Sequence, residues 1–151
     1  MDIRRLDERD FPQVLAIEKA TQIAPWSKEA FQRCWEANYP GWVMYEEDKI
    51  IAFIFISLAV GECHILNLCV HPDYQRKQYG FQMLSYVLDW SKQQGTGIIY
   101  LEVRRSNKPA IALYHKMDFT LIGERKAYYP SPHGKSGEDA LIFARDIGIE
   151  L

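Results

Sequence analysis

The sequence predicts one α/β domain over residues 1–151, with a mixed, mostly antiparallel central sheet and helices on both faces. Three observations carry that prediction. Segments with helical apolar spacing alternate with strand-like runs in the order β-α-α-β-β-β-α-β-α-β-β. No internal repeat, low-complexity tract or linker interrupts them. The length of 151 residues suits one compact domain with its own core.

Each element has its own signal. Ile3 to Leu6 reads as a short first strand, and Asp7 follows as a helix N-cap with Leu6 and Phe11 at the two staple positions. Phe11, Val14 and Leu15 then recur at helical spacing, so a helix runs to about Thr21. Trp26-Ser27 repeats the arrangement: Ser27 caps, Trp26 can staple to Phe31, and the second helix ends before Pro40-Gly41. Trp42 to Glu46, Ile50 to Leu58 and Glu62 to Val70 form an antiparallel meander, turned at Asp48-Lys49 and Val60-Gly61. Tyr79 to Gln94 reads as a helix with Met83, Leu84, Val87 and Leu88 on one face and Gly95 as its stop. Ile98 to Val103 is a continuous apolar run, which predicts a strand buried on both faces. Asn107 caps a further helix with Pro109 in its first turn and Ala110, Leu113, Tyr114 and Met117 as its stripe. Phe119 to Arg125 and Ala140 to Arg145 close the sheet, joined by a loop rich in Pro, Gly and Ser.

Composition narrows the function. An apolar share of 48% and a charged share of 25% are ordinary for a soluble globular protein. A net charge of -2 argues against a direct nucleic-acid partner. Cys34, Cys63 and Cys69 have no CxxC spacing, so neither a disulfide framework nor a zinc site is expected, and a reducing, cytoplasmic setting is. Met1-Asp2-Ile3-Arg4-Arg5 shows no apolar signal region. The longest apolar run, Ile50 to Val60, falls short of the roughly 20 residues that a bilayer needs, so no membrane partner is expected. His64, His71, His115 and His133 lack metal-ligand spacing; turn or surface roles and no metal are expected.

The most informative stretch runs from Leu66 to Gly80. A strand ends near Val70, a loop follows, and a helix opens near Tyr79. Such an entry presents backbone N–H groups and a positive dipole end suited to a pyrophosphate, and Arg76 and Lys77 add cationic charge. The plainer reading is a β-α connection with a solvated basic pair. Gln75-Arg76-Lys77-Gln78-Tyr79-Gly80 resembles the coenzyme A-binding loop of the GCN5-related N-acetyltransferases (GNAT), Gln/Arg-x-x-Gly-x-Gly/Ala, at Gln75 and Gly80. It departs at Gln78, where the family has glycine; a left-handed backbone there costs a non-glycine residue about 1–2 kcal/mol.

Tyr100 to Phe119 is similar to the Leu-Glu-Val-Arg…Asn…Ala-x-x-Leu-Tyr…Gly-Phe signature of the ribosomal-protein alanine N-acetyltransferases within that family (RimI-like). Pro25-Trp26-Ser27, Tyr128-Tyr129-Pro130 and Glu138-Asp139-Ala140 extend the likeness over nearly the whole chain. Asp118 stands where the family has glycine. The resemblance implies a GNAT-like domain, acetyl-coenzyme A as co-substrate, and a cofactor site of Leu68, Cys69, Val70, Gln75, Arg76, Lys77, Gln78, Tyr79, Gly80, Phe81 and Asn107. The backbone N–H groups of Leu68 to Val70 would polarise the thioester carbonyl.

Acetyl transfer needs a neutral amine and a protonated leaving thiolate. Glu102, near the end of an apolar strand, is the candidate base, its pKa raised if partly buried. Tyr114, with an ordinary pKa of about 10, is the candidate proton donor. Each has a plainer reading: Glu102 reaching solvent, Tyr114 packing in a helical stripe. Asn107 is also an N-cap, and the two roles are compatible. Cys69 as an acetylated nucleophile is the lesser reading; a cysteine in an apolar strand is usually inert core.

An α-amine has a pKa of about 8 and lysine about 10.4, so neutralising lysine near pH 7.4 costs about 4 kcal/mol against under about 1 for an N-terminus. A single carboxylate base therefore suits a protein N-terminus. Trp26, Tyr128 and Tyr129 are candidates to line the peptide groove, with packing as the alternative role. The resemblance implies a ribosomal small-subunit protein with N-terminal alanine as partner. A lysine or small-molecule acetyltransferase on the same fold, and a non-catalytic coenzyme A-binding module, are the competing readings.

Overall fold

The computed structural model describes residues 1–129 and 137–148. Pro130, His133 and most of the loop before the last strand lie outside the described residues. The elements run β1 (Asp2–Arg5), α1 (Phe11–Thr21), α2 (Lys28–Glu36), β2 (Gly41–Glu46), β3 (Lys49–Ala59), β4 (Glu62–Val70), α3 (Tyr79–Gln93), β5 (Ile98–Arg104), α4 (Lys108–Lys116), β6 (Thr120–Tyr129) and β7 (Glu138–Asp146). The strands form one sheet in the order β1-β2-β3-β4-β5-β7-β6. β4 and β5 are parallel, whereas β1–β2, β2–β3, β5–β7 and β6–β7 are antiparallel, which is the mixed sheet that the segment order predicts. Among the described residues no helix is long and apolar enough to cross a membrane.

Asp7 caps the first helical segment, but the segment opens with a single 3-10 turn over Glu8–Asp10 and becomes α-helix only at Phe11. A reciprocal box holds this turn: Asp7 accepts the Arg9 N–H (3.2 Å), and Asp10 accepts the Asp7 N–H (2.8 Å). The Arg4 guanidinium grips Asp10 with two bonds of 2.7 and 2.8 Å. Burial pushes the Asp10 carboxyl up, but Arg4 and the Asp7 N–H outweigh it and hold the group below the usual carboxylate range.

The chain divides into two compact units, Met1–Ser57 with Leu66–Val87, and Leu58–Ile65 with Leu88–Leu151. In the first, Phe11, Val14 and Ile17 of α1 and Phe31 of α2 cover one sheet face, meeting Val43, Phe53 and Phe55. The Trp26–Phe31 staple forms, with ring centroids 5.2 Å apart, and Ser27 Oγ accepts the Ala30 N–H at 3.1 Å. Trp42 points to the opposite face, where its ring lies 6.2 Å from that of Tyr86 on α3. With both faces covered, every residue from Ile50 to Ile56 is at 2% exposure or less.

In the second unit β5 departs from expectation. Its apolar run predicts burial on both faces, but Ile99, Leu101 and Val103 are buried while Ile98, Tyr100 and Glu102 are half-buried. That period of two marks a strand with one covered face. Counting Tyr100 as apolar and passing over Glu102 hides the alternation. β6 starts one residue later than predicted and continues to Tyr129, past the register shift between Arg125 and Tyr129, where Ala127 takes φ 53.

α4 ends in a Schellman motif. Phe119 N–H donates to the Tyr114 carbonyl (3.0 Å) and Asp118 N–H to that of His115 (3.1 Å). The rings of Tyr114 and Phe119, 5.8 Å apart, supply the accompanying apolar contact. Asp118 occupies the left-handed position with φ 64, and its charge lies at the negative end of the helix. Asp118→Gly is expected to raise unfolding stability by about 1 kcal/mol, read from denaturant midpoints. A lower midpoint would contradict this account of the turn.

Candidate active site

In the first unit, Leu68, Cys69 and Val70 end β4. The parallel ladder between β4 and β5 runs from Glu62↔Ile98 to Ile65↔Leu101, and these three residues follow it along β4. A short 3-10 turn at Pro72–Tyr74 follows, capped by His71, whose Nδ1 accepts the Asp73 N–H at 3.1 Å. Gln75 then folds back: its Nε2 donates to the Val70 carbonyl at 3.0 Å and ties the loop to the strand end. Arg76 and Gln78 both take left-handed backbone, with φ 64 and φ 66. The conditional strain at Gln78 is therefore present, and Arg76 shares it. Left-handed residues curl successive N–H groups toward one side, the geometry of an anion-binding concavity. Tyr79, Gly80 and Phe81 make the first turn of α3, where N–H groups point out along the axis. Arg76 and Lys77 are exposed, and Lys49 and Lys77 place their ammonium groups 5.0 and 5.8 Å from the Tyr74 ring.

Cys69 is buried within this unit. Burial, and then the nearby Glu18 carboxylate, push its thiol up to about 12. It stays a neutral thiol at physiological pH, which leaves it without the thiolate that a nucleophile needs. Gln22 Nε2 donates to its sulfur at 2.9 Å. Trp26 is half-buried, with its ring against Phe31 and its backbone N–H on Glu18. Ile23, Ala24 and Pro25 before it are exposed, an apolar tip on the loop joining α1 to α2.

In the second unit, Glu102 on β5 ion-pairs with Arg125 of β6, Oε1 to Nε at 3.1 Å, and its side chain is 27% exposed. The same guanidinium lies 5.2 Å from the Tyr128 ring. Tyr128 and Tyr129 meet edge to face at 5.1 Å, and Arg104 sits over the Tyr129 ring at 4.6 Å. Burial, and then the Glu102 charge, push the Tyr129 hydroxyl up to about 12, so it persists as a neutral donor. Glu102, Tyr128 and Tyr129 thus belong to one cluster.

Tyr114 is buried on α4, its ring 5.8 Å from Phe119 and 6.1 Å from Phe143. It does take the packing role its apolar stripe predicts. Asn107 caps α4 by accepting the Ala110 N–H at 3.3 Å. His115 meets the edge of Phe143, and His64 pairs with Glu62 on the strand surface, in keeping with turn and surface roles.

Two residues escape the sequence reading. Glu18 is a carboxylate on the buried stripe of α1, at helical spacing after Phe11, Val14 and Leu15; a charge on such a stripe is the signal that marks it. Arg125 has no such signal, because its meeting with Glu102 depends on the register of β6, β7 and β5.

A model of the acetyltransferase (GNAT) family matches residues 2–119. The chain is 33% identical over 147 residues to the [ribosomal protein bS18]-alanine N-acetyltransferase of Escherichia coli, covering 97% of this chain and 98% of that one. It is 36% identical to the Haemophilus ducreyi enzyme of that name, over 94% of this chain and 97% of the relative. The crystal structure of the ribosomal-protein-S18-alanine N-acetyltransferase from Escherichia coli superposes with a TM-score of 0.91, covering 99% of this chain and 96% of that one.

Proposed function

The chain belongs to the GNAT family of acetyltransferases, and from that premise we propose that it moves the acetyl group of acetyl-coenzyme A onto the N-terminal α-amine of a protein, a ribosomal small-subunit protein with N-terminal alanine. The end-to-end likeness to enzymes named for modifying an alanine carries this reading. The Glu102–Tyr128–Tyr129 cluster supports it, because it sets a carboxylate beside aromatic rings suited to the first residues of a peptide.

In this mechanism Glu102 takes a proton from the substrate ammonium, directly or through water. The neutral amine attacks the thioester carbon, the C–N bond forms, and the oxyanion is met by backbone N–H groups of Leu68 to Val70. As the C–S bond breaks, the Tyr114 hydroxyl gives its proton to the departing sulfur, and the second proton of the amine, lost from nitrogen as the amide forms, passes through water to the tyrosine oxygen and restores it. The left-handed loop, its basic pair and the α3 N-terminus fit a pyrophosphate. Asn107 adds a contact at the start of α4, and Gln75 holds the loop in place.

Gln78→Gly relieves the left-handed strain, and without a Cβ the backbone can approach the phosphates more closely. It should lower the acetyl-coenzyme A dissociation constant about threefold or more, measured by calorimetry. An unchanged dissociation constant would remove the loop from the cofactor site.

The deciding experiment incubates the protein with acetyl-coenzyme A and a short peptide that begins with alanine. A second peptide with a blocked N-terminus and an internal lysine is the control. One acetyl added to the free N-terminus alone is expected; modification of the lysine control would overturn the choice of amine.

A further inference from the structure

We propose that Glu18 is a positioning residue that latches the α1–α2 loop onto β4 and thereby sets how tightly the amine substrate binds. The inference rests on the N-terminal acetyltransferase reading, in which this loop lines the substrate groove through Trp26.

Glu18 is 1% exposed, yet it has no part in the proposed chemistry. An ionised carboxylate inside a core is costly unless several donors meet it. Here they come from two different elements. Oε2 accepts the backbone N–H of Trp26 at 2.8 Å, and Oε1 accepts Nδ2 of Asn67 on β4 at 2.8 Å. The Cys69 sulfur lies 3.4 Å from Oε1 and 3.3 Å from Asn67 Oδ1, so its one S–H faces both acceptors. Gln22, at the start of the loop, completes the group by donating to that sulfur. Both ends of the loop are therefore tied to β4, next to the Leu68–Val70 backbone assigned to the thioester carbonyl. Between the ties, Ile23 is 51% exposed and Ala24 and Pro25 are exposed too. A tethered loop with an apolar, solvent-facing tip is built to meet something other than its own core. The Trp26 ring fixes the far side against Phe31.

The latch has a polarity that can be inverted. Glu18→Gln turns one acceptor oxygen into an N–H₂ group, and Asn67 can meet it only by turning its amide over, which takes its oxygen away from the Cys69 S–H. Adding Asn67→Asp restores the fit: the glutamine oxygen takes the Trp26 N–H while its nitrogen donates to the new carboxylate. Total charge is unchanged.

The test compares wild type, Glu18→Gln and the double variant Glu18→Gln/Asn67→Asp. Steady-state kinetics on the alanine peptide are measured together with amide hydrogen exchange over residues 22–27. Glu18→Gln should raise the peptide KM about tenfold or more, the scale of one charge-assisted hydrogen bond. The acetyl-coenzyme A KM should stay within about twofold. Exchange over residues 22–27 should accelerate, and the double variant should recover both readouts. Parallel rises in the two KM values, or unchanged exchange, would overturn the latch. So would a double variant no better than the single one. Wild type that fails to modify the peptide overturns the N-terminal reading instead, and exchange in the same samples still decides whether Glu18 holds the loop.

Discussion

Glu102→Gln should lower kcat/KM on the peptide by about 10²–10⁴-fold, the range for loss of a positioned general base. Acetyl-coenzyme A affinity should stay within about twofold. Glutamine keeps the shape of the side chain and an oxygen for Arg125, which now sits 3.1 Å away, but it cannot accept a proton. The defect should also shrink as pH rises. An α-amine titrates near 8, so at higher pH the substrate arrives neutral and a base becomes redundant. Initial rates measured across that range test both statements. A variant as fast as wild type, or a defect that does not change with pH, would remove Glu102 from proton transfer.

Phe31→Ala should cost about 3–5 kcal/mol of stability, read from chemical denaturation. Phe31 is fully buried, and its ring centroid lies 5.2 to 6.3 Å from those of Trp26, Phe53, Phe55 and Phe11. Truncation opens a void bounded by four rings that are themselves held by α1, β3 and the α1–α2 loop, so little can collapse into it. Against a typical total of about 5–15 kcal/mol, the loss is large. A change below about 1 kcal/mol would mean that the surrounding rings repack freely.

The sequence made the elements readable because their signals are local. Asp7, Ser27 and Asn107 cap where their side chains and spacing say they should, and Leu6 and Trp26 occupy staple positions. The turn from β4 into α3 was readable for the same reason, down to the left-handed backbone at Gln78. What stayed hidden depends on distant pairing. Arg125 reaches Glu102 only through a strand order in which β7 lies between β5 and β6. The half-open face of β5 was obscured by a tyrosine in an apolar run. Glu18 carries a local signal that went unused, a charge on a helix stripe, but its partners on β4 carry none, because they lie 49 and 51 residues further along the chain.

The β6 strand forms one end of the strand order; it carries Glu124 and Arg125 between two register shifts, and Lys126 at the start of the second. An edge of unpaired amides normally invites another chain to add a strand, the first step toward fibrils and precipitates. Here an incoming strand would meet three consecutive charged residues and a backbone that breaks step twice, at Leu121/Gly123 and again at Arg125/Tyr129. The strand that holds Arg125 against Glu102 is thus also poorly suited to templating aggregation, even with Leu121 and Ile122 exposed at its start.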